Sequence, residues 1–290
     1  MKFGVSTYIW SSACDQSVFD VLPVLRDRGF DGFEFPVFRA KGFPAAKIRR
    51  ASADHQLECT AASGFVDGLS LISNQRDVRR TSVAHLKDLI KCTADAGAPI
   101  LAGPMYSPVG YHTGKRRTSD EWHWALEGYQ AVGETLHSHG VTLAIEPLNR
   151  FETYFLNTTA DAIQLCEDVG DPLVGILLDT FHANIEEKDI GAAYTLAGKH
   201  LKHVHISEND RGTPGSGHIQ WNEVFHSLAQ LEYDGWLTIE SFGFALGDLS
   251  AAASIWRDIE TVPQAVAFEG IQFLRDNMPM LAAARTKLSA

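Results

Sequence analysis

Short apolar runs alternate along this chain with longer stretches in which apolar positions recur at helical spacing. That order is expected of repeated strand–helix units around a parallel sheet. Eight strands are predicted: Phe3–Tyr8, Gly32–Val37, Leu57–Ser63, Pro99–Met105, Val141–Glu146, Val174–Asp179, Leu201–Ile206 and Trp236–Phe242. Helices are predicted near Ser17–Arg28, Ala45–His55, Asp77–Ala96, Ser119–His139, Thr159–Val169, Asp189–Ala197, Trp221–Leu231 and Pro263–Met278. Arg28-Gly29, Ala96-Gly97 and His139-Gly140 put glycine just past a helix, where a left-handed cap carries no Cβ penalty. Thr159, Ser119 and Asp189 are expected to cap helix starts.

Eight such units make an α/β fold, a (β/α)8 TIM barrel of one domain over residues 1–290. A doubly wound open sheet would show a similar rhythm, but no Gly-x-Gly-x-x-Gly follows the first strand. The longer connections, Val66–Arg76, Tyr106–Thr118, Glu208–Gln220 and Gly243–Thr261, mostly follow strands. In a barrel they gather on the C-terminal face, where such enzymes keep their active sites.

Within Val141–Ile145 successive side chains face opposite ways, so Leu143 and Ile145 share one face and Thr142, Ala144 and Glu146 the other. Pro147 cannot donate to a ladder and ends the strand, leaving Glu146 at its tip. The last four strands all end on a metal-competent residue: Glu146, Asp179, His205 and Glu240. Taken singly, each acid could be a barrel-lining carboxylate paired with a neighbouring lysine or arginine. Three converging acids with few cations on these strands favour a divalent ion instead, because an unpaired buried charge is costly. Three carboxylates and one imidazole suit Mn²⁺, Mg²⁺ or Co²⁺. His203 shares the inward face of His205 one layer deeper and reads as a core histidine. His182, Glu152 and Arg211 follow strand ends closely enough to line the same mouth, although loop structure explains each alone. Tyr8 and Tyr106 are candidates for the wall around the far end of a ligand; Tyr8 could equally be barrel packing or a subunit contact.

The formal charge is 25 − 36 = −11, and no basic block exceeds Lys115-Arg116-Arg117. Nucleic acid and anionic membranes are therefore not expected partners. No apolar run approaches the ~20 residues of a membrane span, and a cytoplasmic location is expected. Cys14, Cys59, Cys92 and Cys166 lie far apart without a Cys-x-x-Cys and read as ordinary small buried residues.

The segments Glu146-Pro-Leu-Asn-Arg-Phe-Glu-Thr153, Leu178-Asp-Thr-Phe-His-Ala-Asn-Ile-Glu-Glu187, His203-Val-His-Ile-Ser-Glu-Asn-Asp-Arg-Gly212 and Thr238-Ile-Glu-Ser-Phe242 resemble those of ketose 3-epimerases, which belong to the xylose-isomerase-like barrels. The resemblance implies divalent-metal-dependent inversion of free ketoses at C3, of the D-allulose/D-fructose, D-tagatose/D-sorbose or L-ribulose/L-xylulose type. It also implies Glu146, Asp179, His205 and Glu240 as ligands, with Glu146 and Glu240 as the acid–base pair acting through a cis-enediolate. Glu152, His182 and Arg211 would contact the O1–O3 end of the sugar, and a homodimer or homotetramer would be the working form. The fifth and eighth strands of an eight-stranded ring are three steps apart, so two glutamates there can flank a sugar. Metal coordination is expected to keep both ionised at rest. Competing readings are another isomerase of this barrel class (hydroxypyruvate or aldose–ketose), an inosose dehydratase, a zinc endonuclease and a non-catalytic sugar-binding barrel. The acidic balance counts against the endonuclease and the two opposed glutamates against pure binding.

Overall fold

The computed structural model describes residues 1–243 and 247–288, with side chains for all of these except residues 248 and 278–288. In chain order the strands are β1 (Lys2–Val5), β2 (Gly32–Pro36), β3 (Glu58–Ala62), β4 (Ile100–Gly103), β5 (Thr142–Ile145), β6 (Val174–Asp179), β7 (Leu201–Ile206) and β8 (Trp236–Ile239). The helices are α1 (Gln16–Arg28), α2 (Ala45–His55), α3 (Arg76–Ala96), α4 (Ser119–Gln130), α5 (Gly133–His139), α6 (Thr159–Val169), α7 (Thr180–Glu186), α8 (Ile190–Ala197), α9 (Trp221–Gln230), α10 (Asp248–Ala252) and α11 (Ala265–Leu288).

All strand pairs are parallel, and seven seams run continuously in the order β1-β8-β7-β6-β5-β4-β3-β2. The eighth, between β1 and β2, is closed by the single bridge Ser6–Glu34, by Asp31 N–H donating to Phe3 O at 2.9 Å and by the Thr7 hydroxyl donating to Glu34 O at 2.9 Å. The result is the expected barrel.

Local chemistry accounts for most element ends. Gly29, Gly97 and Gly140 adopt left-handed caps at φ 80°, 90° and 64°. Asp189 caps α8 by accepting from Ala192 N–H. At two other starts the cap lies one residue earlier than expected: Thr158 accepts from Asp161 N–H, and Thr118 forms a reciprocal capping box with Glu121. The long helix expected over Ser119–His139 is two helices. The chain turns at residues 131–132 and brings Gly133 against Asp171, where a Cβ would stand 2.8 Å from a carboxylate oxygen. Two short helices were not expected, α7 directly after β6 and α10 after β8; residues 244–246 of the preceding connection lie outside the described residues.

Strand alternation divides the core. Leu143, Ile145, Ile176, Leu178, Val204 and Ile206 face the helical layer within the main apolar cluster. Ala102, Ala144 and Leu177 form a small separate cluster, consistent with the narrower space inside the barrel. Polar residues share that interior, Glu34, Thr60, His203 and His205 among them, each at most 1% exposed.

Candidate active site

β5 and β8 stop at Ile145 and Ile239, so Glu146 and Glu240 are the first residues beyond them. Both keep a ladder-like backbone bond, Glu146 N–H to Gly103 O at 3.3 Å and Glu240 N–H to Ile206 O at 3.1 Å. Their carboxylates are thereby aimed from a rigid rim rather than from a loop. Asp179 ends β6 and caps α7, its Oδ1 accepting from Phe181 N–H at 2.7 Å. His205 comes from the interior face of β7. Among the described residues, donor atoms of Asp179, His205 and Glu240 lie within 4.8 Å of one another, as do those of Glu146, Asp179 and His182. The two groups share Asp179, so the four expected ligands come together with His182 beside them.

The sequence places few cations on these strands, and the balancing charge comes from a loop. Arg211, from the loop after β7, puts Nη1 2.6 Å from Asp179 Oδ2, 2.8 Å from Glu240 Oε2 and 2.9 Å from Ser207 Oγ. Its guanidinium lies between the rings of Phe181 and Phe242, 3.9 and 5.2 Å from their centroids. The turn that aims it inward needs Arg211 at φ 66°, a strained value for a side-chain-bearing residue. Arg211 N–H bonded to Glu208 O and Ser241 Oγ bonded to Arg211 O hold that conformation.

His182 Nδ1 accepts from the backbone N–H of Asn149 at 3.2 Å, and the Asn149 amide lies 2.9 Å from the same atom. A backbone N–H can only donate, so Nδ1 is an acceptor; Nε2 meets another donor, Arg211 Nη2, at 3.2 Å. Nε2 faces the site, 3.7 Å from Glu146 Oε1 and 3.9 Å from Asp179 Oδ2. Asn149 also donates to Glu152 Oε1 at 2.8 Å, tying His182 and Glu152 into one unit.

Burial and the nearby Glu240 charge push the Glu146 carboxyl well above its usual range. Burial would do the same to Glu240, but His205 and Arg211 more than offset it and hold that carboxyl at about 2. Burial lifts Asp179 to about 6 against the pull of Arg211. Burial and Arg211 keep His182 neutral. In the metal-free protein the two carboxyls are therefore driven in opposite directions.

Both glutamates line a cavity of about 740 Å³ at the C-terminal face, with Leu148, Glu152, His182, His205, Arg211, Tyr8 and Phe38. That size is ordinary for a small-molecule site. An adjoining hollow of about 630 Å³ shares Glu152 and Arg211 but holds neither catalytic candidate. Tyr8, in a single 3-10 turn after β1 rather than on the strand, stacks on Phe242 with ring centroids 5.4 Å apart. Tyr106 departs from expectation. It is buried outside the cavity lining, its hydroxyl donating to the backbone carbonyl of Glu146 at 3.1 Å.

The donor set fits a divalent cation. Asp179 and Glu240 group with His205, and Glu146 with Asp179; His205 Nδ1 is a buried atom with no well-directed hydrogen bond although Glu240 Oε1 is 3.2 Å away. Two residues outside the strand-end pattern complete the site. Asn149 is one, signalled only by a polar residue in the turn after Pro147. Glu34 is the other, in the middle of β2, where an acid between Phe33 and Phe35 must face the barrel interior.

Residues 22–276 match the family model described as the xylose isomerase-like TIM barrel. The chain is 37% identical over 275 residues to a probable ketose 3-epimerase of Synechocystis, covering 95% of this chain and 96% of the relative. It is 31% identical to an L-ribulose 3-epimerase of Mesorhizobium japonicum, covering 94% and 93%. A solved L-ribulose 3-epimerase superposes with a TM-score of 0.93 at 31% identity, over 100% of this chain and 98% of that one.

Proposed function

Because the chain belongs to the xylose isomerase-like TIM barrels and, within them, to the ketose 3-epimerases, we propose that it inverts C3 of a free ketose by proton transfer between Glu240 and Glu146. The observation that carries this reading is the pair itself: two buried glutamates at the tips of β5 and β8, lining one cavity.

Inversion beside a ketone needs a base on one face of C3 and an acid on the other. The Glu240 carboxylate, kept ionised by His205 and Arg211, accepts the C3 proton. Glu146, acting as the acid, returns one from the opposite face; in the reverse direction the roles exchange. His182 contacts oxygens at the O1–O3 end, the Arg211 guanidinium donates to them, and Glu152, steadied by Asn149, accepts from a hydroxyl there. Tyr8 and Phe38 give the distal carbons an apolar wall. Glu146, Asp179, His205 and Glu240 would hold a divalent cation, Mn²⁺ being the assignment and Mg²⁺ or Co²⁺ the alternatives. When bound, it supplies Lewis-acid polarisation of the ketone, a contribution of several kcal/mol.

Assembly into a homodimer or homotetramer in the cytoplasm belongs to the same reading. Phe151 and Trp256, 72% and 76% exposed beside the cavity mouth, offer apolar surface for such an interface. Among the described residues, no helix is long and apolar enough to cross a membrane.

Incubating C5 and C6 ketoses with the Mn²⁺-treated protein in deuterated water tests the reaction. Deuterium at C3 of both epimers is expected; label at C1 with aldose formation would assign an aldose–ketose isomerase instead.

A further inference from the structure

Glu34 lies at the floor of the site and is fully buried. Its carboxylate accepts three hydrogen bonds: Thr60 Oγ1 at 3.1 Å and His203 Nε2 at 2.9 Å on Oε2, and His205 Nε2 at 2.9 Å on Oε1. An ionised carboxylate has no proton to give, so each imidazole must carry its own proton on Nε2. For His205 this leaves Nδ1 turned toward Asp179 and Glu240.

Both oxygens of Glu34 are engaged, which fixes the plane of its carboxylate. His203 and His205 meet edge to face, with centroids 5.2 Å apart at 77°, which restricts the ring planes as well. The Glu34 backbone is held at the closing seam by the Ser6 bridge and by Thr7 Oγ1. The residue that closes the barrel therefore also orients the imidazole.

We infer that Glu34 is a positioning residue that selects the His205 tautomer and ring orientation needed to bind a divalent cation through Nδ1. The inference rests on the reading of His205 as a metal ligand. A carboxylate behind a ligating histidine both directs the ring and raises its basicity, and loss of such a partner typically costs about 10- to 100-fold in metal affinity. Gln at this position can accept from the two imidazoles through one oxygen only, while its amide nitrogen confronts the other ring as a donor.

The test is a Mn²⁺ titration in which electron paramagnetic resonance counts the free ion. Glu34→Gln is expected to weaken Mn²⁺ binding by about 10- to 100-fold, with the KM for ketose at saturating Mn²⁺ unchanged. Leu228→Ala, which opens a hole under α9 in the helical layer, controls for mere destabilisation: its Tm falls and its Mn²⁺ affinity stays. Wild-type affinity in Glu34→Gln overturns the inference, as does an equal loss in Leu228→Ala. Should Glu34→Gln fail to fold, nitrogen-15 spectra of wild-type histidines with Mg²⁺ or Zn²⁺ bound decide the matter. A proton on His205 Nε2 is expected, and a proton on Nδ1 overturns the inference. If wild-type protein binds no Mn²⁺ at all, the metal-site reading itself has failed.

Discussion

Arg211 and Asp179 form a buried ion pair, Nη1 to Oδ2 at 2.6 Å, with both side chains shielded from solvent. The same nitrogen reaches Glu240 at 2.8 Å, so one guanidinium partly neutralises two of the three carboxylates expected to hold a cation.

Arg211→Ala is therefore expected to destabilise the metal-free protein by about 3 kcal/mol, the usual cost of leaving buried partners unpaired. A divalent ion supplies the missing positive charge, so saturating Mn²⁺ should narrow the Tm gap between variant and wild type. Calorimetry with and without Mn²⁺ checks this; an identical gap in both conditions would refute it. Turnover should stay low even with metal, because the donor at the O1–O3 end is gone.

Glu146→Gln and Glu240→Gln should each retain the fold and a bound divalent ion while losing about 10²- to 10⁴-fold in kcat. Exchange of the C3 proton with deuterated water, followed by proton NMR, separates the two roles. Loss of Glu240 should abolish exchange starting from the ketose whose C3 proton it removes. Near-normal epimerisation by either variant would rule out the two-glutamate scheme.

Gly103 ends β4 at φ 126°, and a Cβ there would stand 1.9 Å from the carbonyl oxygen of Ser63. The Gly103 carbonyl also accepts from Glu146 N–H. Gly103→Ala should cost at least ~2 kcal/mol through strain and clash, and it should lower kcat by shifting Glu146. Chemical denaturation together with steady-state kinetics would detect both; a variant as stable and as active as wild type would contradict the described backbone.

Burial pushes the thiols of Cys14 and Cys166 up to about 12. At pH 8 their thiolate fraction is then about 10⁻⁴, so iodoacetamide should leave both unmodified in the native protein and modify them in urea. Because the thiolate is the reactive form, native-state labelling should rise with pH well beyond the point where a free thiol levels off. Rapid labelling of either residue at pH 8 would show that it is exposed.

Much of the site was legible because strand alternation and proline are local. The period of two set the inward face of Glu146 and His205, and Pro147 limited how far β5 could run. The α7 helix was less visible. Asp179-Thr-Phe-His182 reads as a loop until the Asp179 carboxylate is seen capping Phe181, which turns His182 back toward Glu146. Tyr106 looked like a wall residue because aromatic surfaces pack against carbon-bound hydrogens, but its hydroxyl is committed to the Glu146 carbonyl.

The sequence by itself determined the eight strand–helix units, the parallel barrel and the acids and histidine at the strand tips, since each follows from patterns spanning a few residues. Tertiary structure alone decided that Arg211 reaches in among those acids and that Glu34 sits beneath His203 and His205, 169 and 171 residues away along the chain. Those partnerships exist because closing the ring brings β2 across from β7 and forces buried charges to find one another in a space that water does not reach.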